Sequence, residues 1–253
     1  MKRIITLTTD FGMQDHYVGS MKGVILGINN EAKIVDITHE LPKYDIFKAA
    51  ITVQNCYKYF PKETIHVVVV DPGVGSSRKP IALQTEHGIF IGPDNGVFSF
   101  ILEQDEESNV LEITNSEYML NIVSNTFHGR DIFAPVAAHL SLGIDTSKMG
   151  KRVNSPVLLD INKPRVNDNE IIGEVIYTDS FGNLITNIHS YMIESFKEIL
   201  IGEHVIDTVA KSYQDVEKGK LLAIIGSSGF LEISVNQGNA ADLIKDCKII
   251  IRK

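Results

Sequence analysis

Apolar positions along the first half of this chain alternate between two spacings. The run RIITLTT (residues 3–9) reads as a strand, and Val18, Met21, Val24, Ile25 and Ile28 then recur at the spacing of one helix face, with Asp15 placed to cap that helix. KIVDIT predicts a second strand. In DIFKAAITVQNCYKYF, Asp45 can cap a helix whose Ala49, Val53, Cys56 and Phe60 form one apolar face, and TIHVVVVD reads as a strand buried on both sides. Strands at PIALQTE and GIFIGP, a turn at PDNG, and a helix through RDIFAPVAAHLSLG with Gly143 as its C-terminal signal complete the series. Strand and helix in alternation predict a parallel α/β arrangement.

The rhythm changes near VNSPVLLDINKP. Beyond it EIIGEVIYT, NLITNI, HVIDTVA, KLLAIIG, FLEISV and CKIIIR are strand signals broken by Gly, Asn and Ser, as in a small antiparallel barrel or sandwich. The expected fold is therefore an α/β N-terminal domain (residues 1–155) with a largely parallel central sheet, plus a small all-β, barrel-like C-terminal domain (residues 156–253).

Composition narrows the function. With 253 residues, 43% of them apolar, the chain can bury a sizeable core, and its net charge of -8 gives no electrostatic footprint for nucleic acid or an anionic membrane. A small, cationic ligand suits it better. The start MKRIITLTTDFG is too short in apolar residues for a signal peptide and no later run reaches membrane-spanning length, so a cytoplasmic protein is expected. Cys56 and Cys247 stand far apart without metal-ligand spacing and read as reduced thiols.

Two predicted strands end in an aspartate, Asp10 in TLTTDFG and Asp71 in VVVVDPG, and ligands of open α/β sheets gather at such strand ends. The Gly-rich loop after Asp71 lacks the Gly-Lys-Ser/Thr ending of a triphosphate-binding loop, and the aspartate itself repels phosphate. His128 in SNTFHGRDIFAP sits beside Gly129, which leaves room for a ligand, whereas Arg130 and Asp131 suit a charge pair at a helix terminus. In the second half, Asn183 offers the donor and acceptor that match a purine edge, and Ser227 can bond a carboxylate. Glu232 lies on a strand and reads as solvent-facing.

Taken in order, TDFG, VVVVDPGVGSSR, TFHGRDIFAP, SFGNLITN and SSGFLEISVNQGNAA resemble the S-adenosylmethionine hydrolases, or SAM hydroxide adenosyltransferases, over nearly the whole chain. This family is related to fluorinating and chlorinating enzymes. The resemblance implies a catalytic triad of Asp71, Arg78 and His128, with Asp10 holding the ribose hydroxyls and Asn183 and the Ala240 backbone holding adenine. It implies a methionine contact at Ser227 and a polar contact at Asp15, and Glu232, inside the last motif, joins the substrate-binding candidates. It further implies a homotrimer whose ligand lies between the N-terminal domain of one subunit and the barrel of the next. The implied reaction is attack of water on the 5′ carbon of S-adenosylmethionine, giving adenosine and methionine, with no cofactor and no metal. Halide use is disfavoured because the halogenating relatives lack this charged triad. Two other readings use the same residues: a metal-dependent hydrolase built on Asp10, Asp71, His128 and Asp131, and a non-catalytic sensor of adenosine or S-adenosylmethionine.

Overall fold

The computed structural model describes residues 3–105, 108–193 and 195–253. The chain divides into two compact units, Met1–Leu159 and Asp160–Lys253, four residues later than the boundary read from the sequence.

The first unit is built on seven strands: β1 (Ile4–Thr9), β2 (Lys33–Thr38), β3 (Thr64–Val69), β4 (Pro80–Gln84), β5 (Gly88–Pro93), β6 (Asn109–Ile113) and β7 (Gly150–Arg152). They are ordered β2-β1-β3-β5-β4-β6-β7. Pairs β2-β1, β1-β3 and β3-β5 are parallel, while β5-β4, β4-β6 and β6-β7 are antiparallel. The sheet is therefore mixed, which corrects the expectation of a largely parallel one. The reason is local: only Thr85, Glu86 and His87 separate β4 from β5, and a parallel neighbour needs a crossover of a dozen residues or more.

Every residue of β3 is buried, as its unbroken apolar run requires. Ile65, Val67 and Val69 join one core with Met21 and Ile25 of α1 (Tyr17–Ile28). Val68 and Val70 join the other with Ala49 and Val53 of α2 (Ile46–Cys56) and Ile101 of α3 (Ser99–Gln104). Helix α4 (Ala134–Ser141) packs with α1 through Ala134, Ala137 and Ala138. Helices thus cover both faces, and each fully buried Ile, Leu or Val contributes about 1.5–3 kcal/mol. Asp45 caps α2 by accepting the Lys48 N–H at 2.8 Å, as expected. Asp15 does not cap α1: the residue before that helix is His16, with no side-chain cap bond, and Asp15 stays exposed.

The second unit holds β8 (Arg165–Val166), β9 (Glu170–Thr178), β10 (Leu184–His189), β11 (Glu198–Ile201), β12 (His204–Ile206), β13 (Val209–Ala210), β14 (Leu221–Ile225), β15 (Phe230–Val235) and β16 (Lys248–Arg252). They form a strongly connected, nearly closed barrel-like sheet ordered β12-β11-β16-β9-β10-β15-β14-β13, with β8 on β9. All pairs are antiparallel except β13-β14. One helical turn, α5 (Ala240–Leu243), is the only α-helix of this unit among the described residues. Ile171, Leu184, Ile188, Leu231, Ile233 and Ile249 fill its core.

Candidate active site

Five candidates from the first half meet at the carboxyl ends of β1 and β3. A cleft of about 180 Å³ is lined by Asp10, Asp15, Asp71 and His128, with Phe11, Tyr17 and Phe127 as an aromatic wall. Arg78 joins them through hydrogen bonds to Asp71 and His128. The three rings pack at centroid distances of 5.7, 5.2 and 5.7 Å.

The loop after β3 explains how Asp71 and Arg78 reach each other. It turns through the Ser76 hydroxyl, which donates to the Gly73 carbonyl at 2.6 Å and accepts the Arg78 N–H at 3.3 Å. Gly75 has φ +77°, and a Cβ there would lie 2.2 Å from the Asn125 carbonyl oxygen. Glycine is required at this crossing because it alone allows both the backbone angle and the approach of the segment leading to His128. Arg78 then donates from Nε to Asp71 Oδ1 at 2.9 Å and from Nη2 to Asp71 Oδ2, a two-point pair with side chains 8% and 5% exposed.

Arg78 Nη2 also lies 2.8 Å from His128 Nδ1. A guanidinium has no acceptor, so Nδ1 must supply the lone pair: His128 is neutral, with its proton on Nε2. Burial lowers the His128 pKa, the positive charge of Arg78 lowers it further, and Asp71 and Asp131 oppose them. Arg78 Nη1 is buried with no hydrogen-bond partner among the described residues, a donor left over in the middle of the cluster.

Asp10 is 6% exposed; its Oδ2 accepts the Tyr44 N–H at 2.9 Å, and its backbone carbonyl accepts from Lys43 Nζ at 2.6 Å. Behind it, Thr9 Oγ1 lies 2.9 Å from His39 Nδ1 and accepts the Phe11 N–H at 3.2 Å, fixing the loop. Gly129 lines the cleft beside His128. A Cβ there would lie 3.2 Å from the Phe127 ring and 3.3 Å from Met21 Sδ, so a larger residue would press on both neighbours. Asp131 is fully buried and occupied: it pairs with Arg130 Nε at 2.6 Å and accepts Ser124 N–H at 2.8 Å and Ser124 O–H at 2.7 Å. Among the described residues no group of three or more His, Cys, Asp or Glu is placed to hold a metal ion.

The second unit keeps its candidates in two places. Asn183 is 7% exposed and lines a pocket of about 680 Å³ with Phe181, Tyr213, Asn236 and Gln237. Its loop meets the loop of Ala240 at Gly182, whose φ is +84° and where a Cβ would lie 1.9 Å from Asn239 Oδ1. Ala241 N–H donates to the Gly182 carbonyl at 3.1 Å, and Ala240 begins α5 fully buried. Ser227 is exposed in the turn before β15, at the other end of that strand from Ile233, which pairs with Leu184 beside Asn183.

Glu232 is only 8% exposed, which corrects the solvent-facing reading. Its Oε2 accepts from the Tyr213 hydroxyl at 3.3 Å, and a Cβ on Gly226 would lie 1.6 Å from its Oε1. Burial raises its pKa above the usual carboxylate range, against the bond from Tyr213. Sequence reasoning missed the aromatic wall, Asp179 and Tyr213. Asp179 was visible in TDSFGN as an acid two residues before a Phe-Gly turn; the wall carried no local signal, since Phe11, Tyr17 and Phe127 meet only in the fold.

The chain thus combines a mixed α/β sheet that carries a charged cluster at its strand ends with a barrel-like β unit that follows it in sequence. The family model described as the SAM hydroxide adenosyltransferase N-terminal domain matches residues 5–150, and that of the C-terminal domain matches residues 173–245. The chain belongs to this family. It is 38% identical to an (R)-S-adenosyl-L-methionine hydrolase of Methanocaldococcus jannaschii, covering 95% of this chain and 91% of the relative. A crystal structure of an uncharacterized conserved protein from Thermotoga maritima superposes with a TM-score of 0.90 at 40% identity, over 98% of this chain and all of that one. A fluorinase of Nocardia brasiliensis is more distant, 24% identical over 94% of this chain and 92% of its own.

Proposed function

We propose that this enzyme hydrolyses S-adenosyl-L-methionine to adenosine and L-methionine, and that its substrate is the (R) sulfonium epimer for which its relatives are named. The observation that carries the reading is the Arg78 guanidinium, bound to both Asp71 oxygens and to His128 at the cleft that Asp71 and His128 line. Asp71 lines the cleft and can accept a hydrogen bond from a water there. Each Asp71 oxygen keeps a second lone pair, so Asp71 is the group able to take the proton, while His128, whose Nδ1 is engaged by Arg78, offers only its Nε2–H.

In the reaction the water oxygen forms a bond to C5′ as the C5′–S bond breaks. The bonding pair moves to sulfur, leaving methionine as a neutral thioether, and the water proton passes to Asp71 and then to solvent. The sulfonium charge is what makes sulfur leave, and the aromatic wall with Asp10, Asp15 and Asp71 gives a cation a favourable setting. Asp10 Oδ1 is the acceptor left for the ribose diol once Oδ2 holds Tyr44. A halide nucleophile would meet the Asp71 carboxylate at close range. The substrate already carries its activating charge in the sulfonium, so the proposed reaction calls on neither cofactor nor metal.

Adenine is assigned to Asn183 and the Ala240 backbone, the methionine end to Ser227, and Glu232 to a supporting position. The ligand is proposed to bridge the α/β unit of one subunit and the barrel of a neighbour in a homotrimer. Incubation with each sulfonium epimer in heavy-oxygen water tests the chemistry: label in the 5′-hydroxyl of adenosine supports attack at C5′, and no adenosine from either epimer overturns the reading.

A further inference from the structure

The Asn183 amide is held in one orientation by Asp179. The two oxygens of that carboxylate divide their work. Oδ1 accepts the backbone N–H groups of Phe181 and Asn183, each at 2.9 Å, which shapes the turn. Oδ2 accepts from the side-chain Nδ2 of Asn183, also at 2.9 Å. Rotating the amide by half a turn would set Asn183 Oδ1 against Asp179 Oδ2, two acceptors with no hydrogen between them. The orientation is therefore fixed chemically. Among the described residues no donor reaches Asn183 Oδ1, and the residue lines the 680 Å³ pocket.

A free asparagine is indifferent to what stands at position 6 of a purine. Its amide can present oxygen to the amino group of adenine or, turned over, nitrogen to the oxo group of hypoxanthine. A locked one is not. We infer that Asp179 is a positioning residue that sets the base specificity of this enzyme: by pinning Nδ2 it leaves only an acceptor for position 6, so a 6-amino purine is accepted and a 6-oxo purine meets oxygen against oxygen. Rejection by an unpaired or opposed polar group discriminates more sharply than a missing contact does. The inference rests on the assignment of adenine to Asn183.

Asp179→Asn is the informative change because it is isosteric. Its Oδ1 can keep both backbone bonds, while an amide nitrogen replaces Oδ2 and now favours Asn183 Oδ1 facing inward and Nδ2 facing the ligand. Affinities for adenosine, inosine and purine riboside, which has no group at position 6, are to be measured by calorimetry on the full-length protein. The wild type is expected to bind adenosine best and inosine more weakly than purine riboside, and D179N to raise the inosine-to-adenosine affinity ratio by about tenfold or more. A folded D179N that keeps the wild-type ratio, or weakens both ligands equally, overturns the inference. Should D179N fail to fold, the wild-type series decides: inosine bound as well as purine riboside overturns the lock. Absence of any adenosine binding to wild type would instead count against the function proposed above.

Discussion

At the scale of single residues, chemistry and charge state are set by one donor. Because Arg78 cannot accept a hydrogen bond, the Arg78–His128 contact exists only while His128 Nδ1 is unprotonated. The His128 pKa is lowered from 6.5 by burial and then by Arg78. Turnover should accordingly be level above pH 6.5 and fall on an acidic limb below it, as protonation of Nδ1 expels the guanidinium. A pH profile with its acidic limb above neutrality would contradict this. Asp71→Asn, Arg78→Ala and His128→Ala are each expected to lower kcat by more than about a hundredfold with binding largely kept. Near wild-type rates in all three would remove the triad from the mechanism. Asp10→Ala should weaken adenosine binding by about 1–3 kcal/mol, the scale of a lost charged hydrogen bond; calorimetry showing unchanged affinity would free Asp10 from the ribose. Asp71 could be read from the sequence because it ends the apolar run of β3, and His128 because it stands beside a glycine before an apolar helix, whereas Arg78 came only with the family resemblance. Their protonation could not be read there, since it depends on which atom of Arg78 faces which ring nitrogen.

Whole elements were legible where the apolar period was long. β3, α1 and β15 lie where their patterns put them, FLEISV being Phe230–Val235 without a shift. Strand direction was less legible, because PIALQTE and GIFIGP carry the same apolar pattern in either sense; the three-residue connection between β4 and β5 decides it. The segment Gly129–Phe133 is a wider turn than an α-helix, joined to α4, where RDIFAPVAAHLSLG suggested one continuous helix. Two element-scale expectations follow. Gly75→Ala places a side chain at φ +77° and 2.2 Å from the Asn125 carbonyl, so it should cost about 1–3 kcal/mol of strain and reduce turnover by moving Asp71 from Arg78. An unaltered kcat in this variant would mean that the loop tolerates the shift. Within β3, His66 is 1% exposed and burial lowers its pKa from 6.5 to about 4. A depressed pKa means that the folded state binds fewer protons than the unfolded one. Its contribution is full above pH 6.5 and is lost as pH falls towards 4, a change of about 3 kcal/mol. Urea unfolding of wild type and His66→Asn across that window should give a shallower pH dependence for the variant, and equal slopes would place the acid sensitivity elsewhere.

At the scale of the whole molecule, the candidates separate cleanly by unit: Asp10, Asp71, Arg78 and His128 belong to Met1–Leu159, and Asn183, Ser227 and Ala240 to Asp160–Lys253. That partition is what makes a site shared between subunits testable without a ligand-bound structure. Asp71→Asn and Asn183→Ala, each nearly inactive alone, damage different units of the chain. If the substrate bridges two subunits, a mixed trimer contains interfaces that pair an intact α/β unit of one chain with an intact barrel of the other, and those interfaces regain wild-type geometry. For random mixing of equal amounts, each interface draws its two halves independently, so about a quarter of the sites should be intact and about a quarter of wild-type activity should return. A site formed within one chain gains nothing by mixing, because every chain carries one damaged half. Co-expression with two different affinity tags, tandem purification and native mass spectrometry would establish that both variants share one oligomer. Mixed oligomers that stay as inactive as either parent would rule out the shared site, and a purified wild-type protein that sediments as a monomer while turning over S-adenosylmethionine would rule out the trimer as the working form.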